Sequence, residues 1–115
     1  MSNDRIRTLR IKTGVVKRLA KEKITYETEA IQQQAKIEEY KQQGKDVHLI
    51  RKQEEVLQES LMMIPDCQRR LLKAFEDLKK MIDAEENFDD TEAFFEAKNV
   101  LKEAEIQINK DACII

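Results

Sequence analysis

Ile50, Leu57, Ile64, Leu71 and Leu78 stand at strict intervals of seven residues. An α-helix turns once in about 3.6 residues, so an apolar side chain at every seventh position draws a narrow stripe along one face. A stripe of this length has to be covered by another helix, and a strand, with its period of two, cannot use the same pattern. Val47, Leu61, Cys67, Ala74, Phe75, Met81 and Ile82 flank the stripe. Only two glycines and one proline interrupt 115 residues, and charged residues make up 38% of them, the composition of long helices with large solvated faces.

The same period marks the rest of the chain. Leu9, Val16, Lys23, Ala30 and Ile37 recur every seven residues, with Leu19, Tyr26 and Tyr40 three positions later. Lys12, Lys23 and Gln33 dilute this first seam, while Ala20, Ile24 and Ile31 widen it to one side, as a helix touching two neighbours requires. Gly44 is the natural stop of the first helix and Asp46 the cap of the second. Phe88 to Ala93 reads as a third helix start, with Asp89 and Glu92 as a capping box and Phe88 stapled onto Ala93. Phe94, Leu101, Ile108 and Ile115 then repeat by seven, with Ala97 and Ala104 between them.

These signals predict an all-α fold: an elongated antiparallel three-helix bundle with coiled-coil packing and a shorter third helix. The expected helices cover about 4–43, 46–86 and 90–110 of a single domain spanning 1–115, followed by a flexible C-terminal tail. A helix of about 40 residues is about 60 Å long, so the first two form a long hairpin of which the third covers about half. Antiparallel facing sets Val16 near Ala74, Ile24 near Pro65, Leu101 near Lys73 and Ile108 near Asp66. Residues around 28–60 are left as a thinner two-helix arm, weakened by Gln32, Gln33, Gln34, Gln53 and Glu54.

Net charge is only −2, but it is unevenly spread. Residues 1–23 carry eight basic side chains against Asp4 and Glu22, and residues 83–105 carry nine acids against Lys98 and Lys102. Either the two segments neutralise each other or the basic face meets an acidic partner. No apolar run is long enough to span a bilayer and the N-terminus has no signal-like stretch, which predicts a cytosolic protein. Cys67 and Cys113 are too few for a disulfide framework, and only two residues follow Cys113, one short of a prenylation box.

No constellation for catalysis stands out. His48 is the only histidine, without a nucleophile motif or a second histidine at helical spacing. Gly14 and Gly44 are isolated, so there is no phosphate loop, and no Glu-x-x-His pair offers a metal site. No cofactor and no metal are expected, and the chain is not expected to be an enzyme. Nucleic-acid binding is disfavoured by the pI near 5.6 and by the lack of stacking aromatics beside the basic residues.

A binding face has a better sequence basis. Pro65 sits inside an otherwise uninterrupted helical pattern, where proline costs about 3 kcal/mol or more. It either bends the long helix around its neighbours or forms a partner surface with the adaptable side chains of Met62 and Met63. In the heptad frame Met62, Pro65, Asp66 and Arg69 lie away from the seam, as do Lys17, Arg18 and Lys21 of the first helix. Together with Met63, these seven residues make up the candidate partner-binding site of eight.

The stretches Ile11-Lys12-Thr13-Gly14-Val15-Val16-Lys17-Arg18-Leu19, Leu57-Gln58-Glu59-Ser60 and Met62-Met63-Ile64-Pro65-Asp66-Cys67-Gln68-Arg69-Arg70-Leu71 resemble the tubulin-binding cofactor A family, also called tubulin-specific chaperone A. The likeness runs in order and spacing over about residues 5–105. It implies a cytoplasmic, cytoskeleton-associated three-helix chaperone that captures β-tubulin after its release from the chaperonin and stabilises it for assembly into the α/β heterodimer. It implies no nucleotide and no metal, and it is compatible with a monomer or a homodimer. Two departures are visible: Leu61 stands where the family would carry a basic residue, and the tail from Asn109 to Ile115 is longer and more apolar. Tubulins are acidic, so a basic patch beside soft apolar side chains suits such a client. The alternative from periodicity alone is a self-associating coiled-coil scaffold with no tubulin client.

Overall fold

The structure, a computed structural model, describes residues 2–84 and 91–112. They form three helices, α1 (Ser2–Gln42), α2 (Val47–Ala84) and α3 (Glu92–Ala112), and the fold is all-α with a shorter third helix.

Three of the helix boundaries have a visible local cause. Gly44 adopts φ +69°, a conformation glycine enters without a Cβ clash. The Gly44 amide then donates to the Lys41 carbonyl at 3.2 Å and the Lys45 amide to Tyr40 at 3.0 Å, the paired bonds that close a helix C-terminus. Asp46 opens α2, its Oδ1 accepting from the His48 amide at 3.1 Å and its carbonyl from Ile50 at 3.0 Å. The third start differs from the capping box read from the sequence. Thr91 is the cap: its Oγ1 accepts from the Phe94 amide at 3.2 Å, so α3 begins at Glu92. Phe88 and Asp89 lie outside the described residues, as do Cys113 and Ile115.

The chain divides into two compact units, one of Met1–Lys21 with Gln68–Ile115 and one of Glu22–Cys67. Both α1 and α2 contribute to each unit.

The first unit holds the apolar core. Leu9, Val16 and Leu19 from α1, Leu71 and Leu78 from α2, and Ala93, Phe94, Ala97, Val100 and Ala104 from α3 are buried together. Burying a Leu or Val side chain fully stabilises by about 1.5–3 kcal/mol, and Leu9, Val16, Leu71 and Leu78 are fully buried. The α3 stripe is centred on Ala97, Val100 and Ala104, while Leu101 and Ile108 are only half-buried. A helix lying against two others needs a wider stripe than a single seam, and the small alanines let the backbones approach. Thr13, buried in this unit, satisfies its hydroxyl by donating to the Leu9 carbonyl at 2.7 Å. Gln68 Nε2 donates to the Ile108 carbonyl at 3.4 Å, a contact within two residues of the expected level of Asp66.

The second unit is a two-helix hairpin with a thinner and more polar seam. Among its residues only Lys23, Ala30, Ile37 and Cys67 are buried. Ile50, Leu57 and Ile64 keep their inward positions but are half-buried, because no third helix of this unit covers them. Gln33 Nε2 donates both to the Gln53 carbonyl at 3.0 Å and to Gln53 Oε1 at 2.8 Å, clasping the two helices. Lys23, read as a dilution of the seam, is wholly buried and bonded to Glu27. Ile24 and Ile31, read as a widened packing stripe, are 43% and 72% exposed.

Candidate functional site

The eight candidate residues fall into two sets, one in each unit. Lys17, Arg18 and Lys21 are exposed on α1 in the three-helix unit, where spacings of three and four bring them onto one face. Arg69 is exposed on α2 of the same unit. The inward positions of these helices are taken by Val16, Leu19 and Leu71, so the basic side chains lie outside the apolar core.

Met62, Met63, Pro65 and Asp66 belong to the hairpin unit. Met62 is 73% exposed, Met63 and Pro65 are exposed, and Asp66 is half-buried beside the buried Cys67. Pro65 lies inside α2, which continues through it to Ala84. Proline has no amide hydrogen, so the Leu61 carbonyl lacks its usual donor four residues on. That leaves an apolar stretch with a partly released backbone acceptor, next to two flexible thioether side chains.

Such surfaces can bind and hold by shape and charge. Among the described residues no group of three or more His, Cys, Asp and Glu could hold a metal ion, and no helix is long and apolar enough to cross a membrane. His48 is exposed in the first turn of α2, where its backbone serves the cap.

A family model described as Tubulin binding cofactor A matches residues 4–101. The chain belongs to the tubulin binding cofactor A family. All three stretches that carried the resemblance, Ile11 to Leu19, Leu57 to Ser60 and Met62 to Leu71, lie inside the matched region. A cofactor A relative, the "Tubulin-specific chaperone A" of Gallus gallus, is 50% identical over 107 residues, covering 93% of this chain and 99% of its own. The solved structure of human tubulin chaperone cofactor A is similar at 48% identity with a TM-score of 0.76, covering 88% of this chain and 98% of that one. The tubulin folding cofactor A structure from Arabidopsis thaliana is similar at 39% identity and a TM-score of 0.80, covering 89% and 96%.

Two surface features of this cofactor A family member escape the sequence pattern. Ile24 and Ile31 are seven apart and apolar, a spacing that signals burial, yet the hairpin unit leaves them exposed together with Val47, Val56 and Leu61. The unit contains only two helices, a number that heptad positions do not encode. The second is Gly14, exposed on α1 between Arg10 and Lys17, a position where no turn or positive φ calls for glycine. Its signal was a glycine inside a strong helical pattern.

Proposed function

We propose that this chain is a tubulin-folding chaperone that captures β-tubulin after chaperonin release and stabilises it on the way to the α/β heterodimer. It acts by binding alone, in the cytoplasm and in association with the cytoskeleton, without catalysing a reaction and without a cofactor. Family membership supports the tubulin client, since the relatives bear the names tubulin-specific chaperone and tubulin-folding cofactor.

The observation that carries the reading is the exposure of Met62 at 73%, beside Met63, in a chain whose apolar core lies elsewhere. Unbranched, polarisable side chains held in solvent suit a surface that adapts to a client. Lys17, Arg18, Lys21 and Arg69 supply positive charge that steers an acidic client and sets its orientation. Met62, Met63, Pro65 and Asp66 supply the second contact set.

The test is to mix the purified protein with β-tubulin freshly released from chaperonin and to resolve the mixture by size-exclusion chromatography with light scattering. A stable one-to-one complex is the expected result. Concentration-dependent self-association with no tubulin retained would favour a scaffold instead.

A further inference from the structure

Gly14 is a residue that the packing of α1 leaves unexplained. It lies in the middle of the α1 segment of the three-helix unit, at the heptad position farthest from the seam formed by Leu9 and Val16, and it is exposed. A Cβ added there would meet no described atom within 4 Å. Alanine would therefore fit, and would strengthen the helix, because glycine inside a helix is the weakest helix former apart from proline. Gly44 is the glycine that needs its positive φ; Gly14 has helical geometry open to any residue.

The surroundings of Gly14 carry a second local cost on the same face. Between Arg5 and Lys21 the chain has seven basic side chains and no acidic one. Arg10 and Ile11 precede Gly14 by four and three residues, Lys17 and Arg18 follow it by three and four, and all four are exposed. Arg7 with Arg10 and Arg18 with Lys21 stand three residues apart and Lys17 with Lys21 four, and like charges at these spacings repel and weaken an isolated helix further. Glycine and like charge together are suited to a close, oppositely charged partner, because a missing side chain is what allows another backbone to approach. One turn toward the N-terminus, a shallow hollow of about 410 Å³ is lined among the described residues by Ile6, Arg7, Arg10 and Ile11, with room for a partner side chain.

We infer that Gly14 is a close-approach point where an acidic helix of tubulin crosses α1, its backbone against Gly14 and its carboxylates reaching Arg10, Lys17 and Arg18. Ile11, 57% exposed, supplies the apolar part of the contact. The inference rests on the tubulin-chaperone reading and adds to it a specific contact.

The test titrates chaperonin-released β-tubulin with wild type, Gly14→Ala, Gly14→Gln and the control Asn99→Ala, which strengthens an exposed helical position on α3. Gly14→Ala and Asn99→Ala both raise the thermal midpoint by a few degrees. Capture weakens about fivefold in Gly14→Ala and at least about tenfold in Gly14→Gln, and is unchanged in Asn99→Ala. Gly14 variants captured as tightly as wild type overturn the close approach while leaving the chaperone reading intact. Wild type that captures no tubulin overturns the chaperone reading and this contact with it.

Discussion

Lys23 Nζ donates to Glu27 Oε1 at 2.8 Å from a side chain that is wholly buried at a seam position of α1. A lysine at such a position opposes burial, since its charge leaves water and has to be met by an acceptor. Glu27, one turn on and mostly buried, provides one. A polar residue at one seam position is a known way to fix the register of paired helices at the expense of stability.

Removing the acceptor's charge while keeping its shape isolates this effect. Glu27→Gln is expected to destabilise the protein by about 1–2 kcal/mol, read from the denaturant midpoint. Adding Lys23→Met replaces the buried charge by an apolar chain of similar length and restores stability to wild type or above. A double variant less stable than Glu27→Gln alone contradicts the assignment.

The two units differ in what holds them. The buried apolar cluster belongs to the three-helix unit, whereas the hairpin unit relies on buried Ala30 and Ile37, half-buried Ile50, Leu57 and Ile64, and the Gln33–Gln53 clasp between its helices. Amide hydrogen exchange is expected to run at least about tenfold faster in the middle of the 22–67 helices than around Val16, Leu71 and Ala97. Gln33→Ala widens that gap. Equal protection in both units would refute the difference in local stability.

Helix ends make a third set of measurements. Thr91→Ala and Asp46→Ala each remove a side-chain acceptor from a helix N-terminus, and each is expected to cost about 1 kcal/mol. Gly44→Ala forces a Cβ into φ +69° and costs about 1 kcal/mol as well. Thr8→Ala serves as the comparison: its hydroxyl bonds the Asp4 carbonyl on an exposed turn that is already helical, and its loss changes stability by less than about 0.5 kcal/mol. Thermal melts on the four variants order these effects.

Much of this architecture is legible in the heptads. Leu9, Val16, Leu71 and Leu78 are fully buried where a period of seven puts them, and Gly44 and Asp46 act as the stop and the cap that their chemistry suggests. The third helix start was less legible, because Asp89 and Thr91 are both competent caps and only the Phe94 amide bond distinguishes them. The heptad puts Lys23 at a seam position without showing that its charged side chain is buried there, and the exposure of Ile24 and Ile31 was not legible. A seam position is buried or open according to how many helices surround it, and the acceptor that makes a buried lysine tolerable is one residue among several acids nearby. For the candidate site, outward placement of Lys17, Met62 and Arg69 follows from the same frame. The open space around Gly14 follows from the packing of the helices and has no signal in the sequence.

The central claim is that a charged outward face captures β-tubulin while the core stays indifferent to it. It is tested by titrating chaperonin-released β-tubulin against wild type and against Lys17→Glu combined with Arg69→Glu. Both residues are exposed, so the account predicts unchanged helicity and thermal midpoint, a one-to-one complex with wild type, and capture weakened about tenfold or more in the double variant. A well-folded double variant that captures β-tubulin as tightly as wild type would contradict it.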